Sequence, residues 1–408
     1  MTGMLACPPA PPKAYRQGTH RTSPPEETLE RLGPLLEPAG ITRVANITGL
    51  DRLGLPVFLA CRPESRSLAV SQGKGLTPAA ARVSAIMESL ETWQAERLAL
   101  PLERATWREL NRRARVVPPE SLNRYRQGRF HPDLPLLWVE GWDLVAGEPS
   151  WVPYELVHTN YTFPLPEGSG CFLRTSNGLA SGNHLLEAVI HGLGEVVERD
   201  AATLWALSGP VARGARRLRL SSLPPGPARD LCRRIEAAGL RAGVWDISSD
   251  LEIPAFFARL AEPDPALSWL DCWGAGCHPH PEVALLRALT EAAQTRLTLI
   301  SGARDDLGRG RYQADAPRRR DWLAEGDGGL DFSPGAGLDA ATLEEDLTWL
   351  VGRLGQAGLT SVVVVDLGSP GPGLAVVRVI VPGLEAAFVD PRHCALGLRA
   401  QAALAVRR

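Results

Sequence analysis

The pattern of apolar and polar residues predicts three long helices, each preceded by β-type sequence. The helical periodicity covers residues 77–100, 184–207 and 281–301. Thr77 stands where an N-cap is expected, and Pro78 follows near the first helical position. A fourth, shorter helix is predicted over residues 340–356. The second helix is mostly apolar and is therefore expected to be buried.

Short runs of β-branched and alternating residues predict strands between these helices. They cover residues 56–61, 67–71, 136–144, 151–157, 240–247, 254–260, 268–273, 360–367 and 375–381. Residues 175–182 read as an irregular Gly/Ser/Asn stretch, and residues 303–338 as a charged, glycine-rich loop. The order of elements favours an α/β (α+β) fold. No linker interrupts it, so we expect a single domain over residues 38–408, after a disordered or partly ordered leader over residues 1–37 that is disordered to about residue 27.

Charge and composition narrow the possible partners. The 408-residue chain has a net charge of −2 and a pI near 6.5, which gives no broad basic field for nucleic acid. No apolar stretch is long enough to cross a membrane. The seven cysteines are scattered and include no C-x-x-C pair, which favours a reducing compartment. We therefore expect a cytoplasmic protein.

The two lysines of the chain stand out against its arginines. Of 44 basic residues only Lys13 and Lys74 are lysine. Lys13 falls in the predicted leader, whereas Lys74 lies between Gly73 and Gly75, and glycines let the backbone approach a ligand closely. A lysine retained there indicates that a compact ammonium is needed, although chance retention is the alternative.

Carboxylates recur on the first two predicted helices. Glu88 and Glu91 are three residues apart, so both project from one face and repel each other unless a cation lies between them. A solvated surface is the commoner explanation of such a pair taken alone. The second helix carries Glu187, Glu195 and Glu198 on one stripe among apolar residues, and buried carboxylates are costly unless they are paired or bind metal. An ion-pair network with a neighbouring arginine is the alternative.

The third predicted helix carries both signs of charge. Arg287, Glu291 and Gln294 follow at helical spacing, and Arg296 comes next. Arg287 and Glu291 could form an ordinary i,i+4 salt bridge. Taken together, the three helices offer carboxylates for a hard cation and guanidinium groups for phosphates, which is the inventory of a magnesium–nucleotide site.

Several motifs resemble those of the YcaO family. They are Gly73–Lys74–Gly75, the segments 84–91, 176–183 and 195–200, and the segment 286–296, in the family's order over about residues 38–400. The resemblance implies a YcaO-type fold with several mostly antiparallel sheets, whose long helices carry an ATP and Mg²⁺ site. Segment 62–75 is similar to the subgroup associated with TfuA, which is often linked to thioamides.

The resemblance assigns roles to individual residues. It implies Mg²⁺ ligation by Glu88, Glu91, Glu187, Glu195, Glu198 and Glu291. It implies nucleotide or phosphate contacts by Ser71, Lys74, Asn183, Arg199, Arg287, Gln294 and Arg296. Of these, Glu88, Glu198, Arg199 and Arg287 are expected to be catalytic.

The implied activity is ATP-dependent activation of a backbone amide in a peptide or protein substrate. A nucleophile adds to the carbonyl, the oxygen attacks the γ-phosphate of ATP, and phosphate leaves. An external sulfur donor would give a thioamide, and a side chain or an amine would give an azoline or an amidine. We favour the thioamide because segment 62–75 resembles the TfuA-associated subgroup and because the proline-rich tail of azoline-forming relatives is missing. We also expect a homodimer and a TfuA-like or peptide-recognition partner.

Two other interpretations come from different classes. Cys272, Cys277, His278 and His280 could suggest zinc, but their C-x4-C-H-x-H spacing cannot easily close a tetrahedron. The chain could also be a non-catalytic ATP-binding scaffold that docks a partner. Substrate-dependent ADP release separates this scaffold from an enzyme.

Overall fold

The computed structural model describes residues 9–312, 328–333, 337–386 and 393–405. The chain groups into two compact units, each made of separate segments. Unit 1 comprises residues 1–14, 90–207 and 340–408, and unit 2 comprises residues 15–89 and 208–339. The sequence predicted one domain without a linker. The single domain stays a prediction, and one boundary between the two units falls inside a continuous helix, Pro78–Glu96.

The described helices and strands are as follows. The helices are α1 Pro25–Leu32, α2 Pro78–Glu96, α3 Trp107–Leu110, α4 Leu185–Leu207, α5 Pro210–Ala215, α6 Pro227–Ala237, α7 Pro281–Ser301, α8 Leu343–Gln356 and α9 Leu398–Ala405. The strands are β1 Arg43–Asn46, β2 Val57–Cys61, β3 Val70–Lys74, β4 Leu102–Ala105, β5 Leu136–Asp143, β6 Glu148–Pro153, β7 Leu179–Gly182, β8 Leu218–Arg219, β9 Arg241–Asp246, β10 Ala255–Ala261, β11 Cys272–Cys277, β12 Leu330–Asp331, β13 Val363–Asp366 and β14 Ala375–Ile380. Among these residues, no helix is long and apolar enough to cross a membrane.

Unit 1 is built on one antiparallel sheet. Its strand order is β4-β5-β13-β14-β7, and β6 pairs with the free side of β5. Helix α4 packs on β7 and β14, and α8 and α9 pack on α4. Trp138 lies at the centre of the core, where its indole donates a hydrogen bond to the carbonyl of Ala105 (2.9 Å). Burial of such apolar area is the main source of stability in this unit.

Unit 2 contains two antiparallel sheets of three strands, β1-β2-β3 and β11-β10-β9, and a short parallel pair, β12 and β8. Helix α7 packs against β10, β11 and β3. Its apolar face, including Leu285 and Leu289, joins Ile235 and Phe256 in the core. The mostly antiparallel sheets predicted from the sequence are confirmed, and so is the mixed fold class.

Paired glycines explain how strands approach helices in unit 2. A Cβ on Gly73 would lie 1.9 Å from the backbone nitrogen of Ala85, and one on Gly75 would lie 2.7 Å from that of Ala81. We expected these glycines to admit a ligand. In the structure they instead let the end of β3 rest on the backbone of α2, with Lys74 between them. Gly274 and Gly276 bring β11 equally close to α7.

The N-terminal segment differs from the predicted disorder. Helix α1 forms within it, and Tyr15 pairs with Arg21 in an isolated bridge. Lys13 is buried, with its ammonium 2.6 Å from Asp346 and 3.0 Å from the carbonyl oxygen of Ala340. A sequence window cannot reveal this order because the ion-pair partner lies more than three hundred residues away.

Candidate functional site

Strand β3 presents Lys74 at its C-terminal end in unit 2. The ammonium nitrogen lies 3.6 Å from a carboxylate oxygen of Glu291 on α7, and both side chains are about one quarter exposed. Ser71, earlier on the same strand, is buried. Two predicted ligands that are far apart in the sequence, Lys74 and Glu291, are therefore neighbours.

Helix α7 supplies further polar groups to the same unit. The Nε of Arg287 and the Oε1 of Gln294 are buried and have no hydrogen-bond partner among the described residues. The amide nitrogen of Gln294 donates to the carbonyl oxygen of Gln72 (3.1 Å), which ties α7 to β3. Buried polar atoms without partners are uncommon in native proteins and often mark a ligand position. Arg287 and Gln294 are two turns apart and share a face.

Arg296 forms ion pairs within unit 2, whereas a nucleotide or phosphate contact was expected. Its guanidinium binds Asp51 through two contacts of 2.8 and 3.0 Å and Glu262 through one of 2.7 Å. All three side chains are only 3% exposed. The carboxylate of Glu262 also accepts hydrogen bonds of 2.7 and 2.9 Å from the guanidinium of Arg52. The guanidinium charge of Arg296 is thus compensated within unit 2.

Helix α2 carries the first predicted carboxylate pair. Glu91 accepts a hydrogen bond of 2.6 Å from the hydroxyl of Ser181, within unit 1. Glu88 belongs to the part of α2 assigned to unit 2. There the pKa of Arg304 is raised by its hydrogen bond to Asp306 and also by the nearby charge of Glu88.

Helix α4 carries the second group in unit 1. Glu187 is buried and accepts hydrogen bonds from the backbone and side-chain amides of Asn183 (3.2 and 3.4 Å). Glu198 is also buried, while Glu195 lies 3.8 Å from Arg199. Glu187 and Glu198 are therefore placed in a protein interior, where a negative charge needs a cation or strong hydrogen bonds.

The carboxylates do not form a ready-made metal cage. Within the described ranges, no group of three or more His, Cys, Asp or Glu side chains is arranged to hold a metal. Cys272, Cys277, His278 and His280 are among the side chains that this statement covers. Mg²⁺ commonly binds one or two carboxylates together with substrate phosphates and water. The donor set therefore fits Mg²⁺ that arrives with a nucleotide.

A family model described as "YcaO cyclodehydratase", ATP- and Mg²⁺-binding, matches residues 72–385. The chain belongs to the YcaO family. This confirms the resemblance seen in the sequence motifs, and the family description confirms ATP and Mg²⁺ as the predicted cofactors. Every residue predicted for the site except Ser71 falls inside the matched range.

Relatives of this YcaO protein agree with that assignment. It is 38% identical over 405 residues to an uncharacterized protein in the tfuA 3′ region of Rhizobium leguminosarum bv. trifolii, covering 93% of this chain and 92% of the relative. The structure of YcaO from Methanopyrus kandleri bound with AMPPCP and Mg²⁺ matches with a TM-score of 0.74 and 27% identity, over 95% and 98% of the two chains. A heterocyclase in complex with substrate and cofactor matches with a TM-score of 0.77 and 25% identity, over 93% of this chain and 55% of the heterocyclase.

Sequence reasoning missed one polar cluster in unit 1. It consists of Arg378 on β14 with Arg174, His158 and Tyr161 from the connection before β7. The sequence signal was an arginine in the middle of the apolar run 375–381. Such a charge in a buried strand needs a partner or a function.

Proposed function

We propose that this YcaO protein uses ATP and Mg²⁺ to activate a backbone amide of a peptide or protein substrate. The observation that carries the proposal is the polar face of α7 beside Lys74. There Arg287 and Gln294 keep buried atoms without hydrogen-bond partners among the described residues, next to the Lys74–Glu291 pair. A nucleotide phosphate would supply the missing acceptors for the cations.

The acidic residues would hold the metal. Glu187 and Glu198 are buried on α4, and Glu91 is held by Ser181. We propose that these three bind Mg²⁺, and that Glu88, Glu195 and Glu291 do so as well, as the family motifs imply. Mg²⁺ supplies charge neutralisation for the phosphates when it is bound. The side chains Asn183 and Arg199 would orient the nucleotide, while Lys74 and Arg287 stabilise negative charge on the transferred phosphoryl group.

Arg296 takes a structural part in this proposal. Its guanidinium forms ion pairs with Asp51 and Glu262, so its positive charge is already compensated and would attract a phosphate only weakly. We propose that it fixes α7 in unit 2 and thereby positions Arg287 and Glu291. The nucleotide role implied by resemblance is less well supported by these contacts.

The amide carbonyl is a poor electrophile, and its oxygen is a poor leaving group. In the proposed reaction the nucleophile adds to the carbonyl, and the carbonyl oxygen then takes the γ-phosphoryl group from ATP. The oxygen can now depart as part of phosphate, which leaves readily. We propose that sulfide, from a separate donor, is the nucleophile and that the product is a thioamide. The support is the sequence similarity of segment 62–75 to the TfuA-associated subgroup and the tfuA-linked relative. Azoline or amidine formation is the alternative within the same chemistry.

A TfuA-like protein is the partner that this proposal favours. The relative encoded in the tfuA 3′ region is the reason. Homodimerisation and a cytoplasmic location remain predictions from the sequence. Size-exclusion chromatography with light scattering, with and without the partner, measures the assembly directly.

Substrate-dependent ADP release tests the proposed function. The protein is incubated with its precursor peptide, Mg²⁺, ATP and sulfide, and the peptide mass is followed. Thioamide formation replaces oxygen with sulfur, whereas azoline formation removes one water. The variants Glu198→Gln and Glu88→Gln should lose at least about 100-fold in rate. The exposed Glu236→Gln on α6 is the matched control. ADP release that ignores the peptide would support the scaffold interpretation instead.

A further inference from the structure

Unit 1 contains a small cavity with a buried arginine at its wall. Its volume is about 40 Å³, which is room for roughly three waters. Leu122, Leu156, Val196 and Ile380 supply apolar lining. Arg378 is 2% exposed and also lines it. A cavity of this size accommodates a group of about three heavy atoms.

Two nitrogens of the Arg378 guanidinium make no hydrogen bond within the described residues. They are the Nε and one terminal nitrogen. The other terminal nitrogen donates to the carbonyl oxygen of Thr175, which also lines the cavity. Burial lowers the pKa of Arg378 to about 10, while Tyr161 and Glu195 act to raise it, so the guanidinium stays positive at neutral pH. An oxygen atom of a bound anion would supply the acceptors that these buried donors lack.

A second arginine, Arg174, does not line the cavity, but its charge acts on His158 and Tyr161 as that of Arg378 does. Arg174 is 20% exposed, and its Nε and Nη1 lack hydrogen bonds among the described residues, although Nε lies 3.6 Å from Glu155. That carboxylate is already held by the backbone amides of residues 170, 171 and 172. The guanidinium also lies over the ring of Tyr161, at 5.8 Å. Arg174 therefore adds unused donors on a side chain that solvent reaches.

The remaining members of the cluster are neutral. Burial, followed by the charges of Arg174 and Arg378, lowers the pKa of His158 to about 4, so this imidazole is uncharged at neutral pH. Burial raises the pKa of Tyr161, which stays a phenol. The cluster thus has two positive charges, countered by Glu155 beside Arg174 and by Glu195 near Arg378. The two carboxylates would repel a second negative charge on a ligand, which favours a monoanion over a dianion.

We propose that Arg378 and Arg174 form a site for a carboxylate carried by the substrate. Planar guanidinium donors match a planar carboxylate, and the apolar lining fits the carbon chain to which it is attached. The chemical class is a peptide with a free C-terminal carboxylate or an acidic side chain. The substrate aspect rests on the proposed function, whereas the anion site itself does not. Phosphate is the competing oxyanion, disfavoured by its second charge beside Glu195.

Thermal unfolding with simple anions tests the site without ATP or a peptide. Sodium acetate, inorganic phosphate and sodium chloride are titrated against the full-length protein at constant ionic strength. We expect acetate to raise the unfolding midpoint saturably and more than phosphate or chloride. Arg174→Gln should raise the acetate concentration for half-maximal stabilisation at least about 10-fold, and so should Arg378→Gln if it folds. The exposed Arg112→Gln in the same unit is the matched control.

Two results would overturn the proposal. One is equal stabilisation by acetate and chloride in the wild type, and the other is an unchanged acetate response in Arg174→Gln. Stronger saturable stabilisation by phosphate would refute the carboxylate assignment. In a separate arm, converting the carboxylates of an accepted peptide to amides should raise KM and leave kcat nearly unchanged. If the wild-type protein shows no turnover but still responds to acetate, the result counts against the proposed function and not against the anion site.

Discussion

Replacing Arg296 separates a structural role from a nucleotide contact. Its guanidinium holds Asp51 and Glu262, all of them nearly inaccessible to solvent. Arg296→Met keeps an apolar stem of similar length but removes both ion pairs. Asp51 then loses its guanidinium contacts of 2.8 and 3.0 Å, whereas Glu262 retains Arg52.

The expected loss of stability follows from that arrangement. Breaking a buried ion pair by removing one partner costs about 3–5 kcal/mol, mainly because a buried charge is left behind. Glu262 keeps its second arginine, so we expect the lower end, about 3 kcal/mol. That is a change of about 100-fold in the unfolding equilibrium.

The dependence of unfolding on acidic pH gives a second test of the same variant. Burial acts to raise the pKa of Glu262, but Arg52 and Arg296 lower it below its ordinary value of 4.5. A lowered pKa means that the ionised group stabilises the fold at neutral pH, and this is lost as pH falls through the lowered value. Without Arg296 the pKa rises, so the variant should begin to unfold at a higher pH than the wild type.

Urea unfolding monitored by tryptophan fluorescence measures this change. Arg287→Met on the same helix is the matched control, because its side chain makes no compensated ion pair in the described residues and should cost less than about 1 kcal/mol. A stability of Arg296→Met within about 1 kcal/mol of wild type, together with lost nucleotide affinity, would refute the structural assignment.

Other substitutions test separate parts of the account. Lys74→Arg should lower turnover at least about 10-fold, since the larger planar group cannot replace a compact ammonium beside Glu291; wild-type rates would show that the lysine is incidental. Lys13→Met should destabilise unit 1 by about 3 kcal/mol, because the buried carboxylate of Asp346 loses its ion pair with the lysine. In thermal unfolding, the double variant with Asp346→Leu should recover most of this loss. Arg287→Met should abolish peptide-dependent ADP release while the protein remains folded; retained release would remove Arg287 from the site.

The long helices could be predicted from the sequence. Helix α7 has the predicted bounds, and α4 begins one residue later than predicted. Helix α2 ends at Glu96 and not at residue 100, and Pro101 accounts for the loss of helical backbone only at Leu100. Most strands agree in position, but β3 lies three residues later than predicted and β11 four residues later. Strand ends depend on pairing partners that a local window does not contain.

Other elements depend on contacts between distant segments. Strand β7 falls in the stretch predicted as irregular, because its Gly, Ala and Ser residues favour a strand only when β14 pairs with them. Helix α6 was not predicted, although Pro227 at its start and the apolar Leu231 and Ile235 gave a signal. Most of the predicted loop at 303–338 lies outside the described residues.

In the candidate site, too, local sequence predicted some residues, while others depend on contacts between distant segments. The rarity of lysine and two flanking glycines indicated Lys74, and helical spacing indicated Glu187, Glu198 and Arg287. The family resemblance assigned their roles. The ion pairs of Arg296 could not be predicted, because Asp51 and Glu262 are remote in sequence. An arginine in an apolar run was the only signal for Arg378, since its contact with Thr175 forms only on folding.

The fate of the amide oxygen tests the central claim most directly. A precursor peptide is labelled with a heavy oxygen isotope at the backbone carbonyl that is modified, and the released phosphate is analysed by mass spectrometry. The account predicts that the label appears in inorganic phosphate, in step with ADP and with modified peptide, and that Glu198→Gln abolishes all three. Unlabelled phosphate from a peptide that is nevertheless modified would contradict transfer of the amide oxygen to the γ-phosphoryl group of ATP.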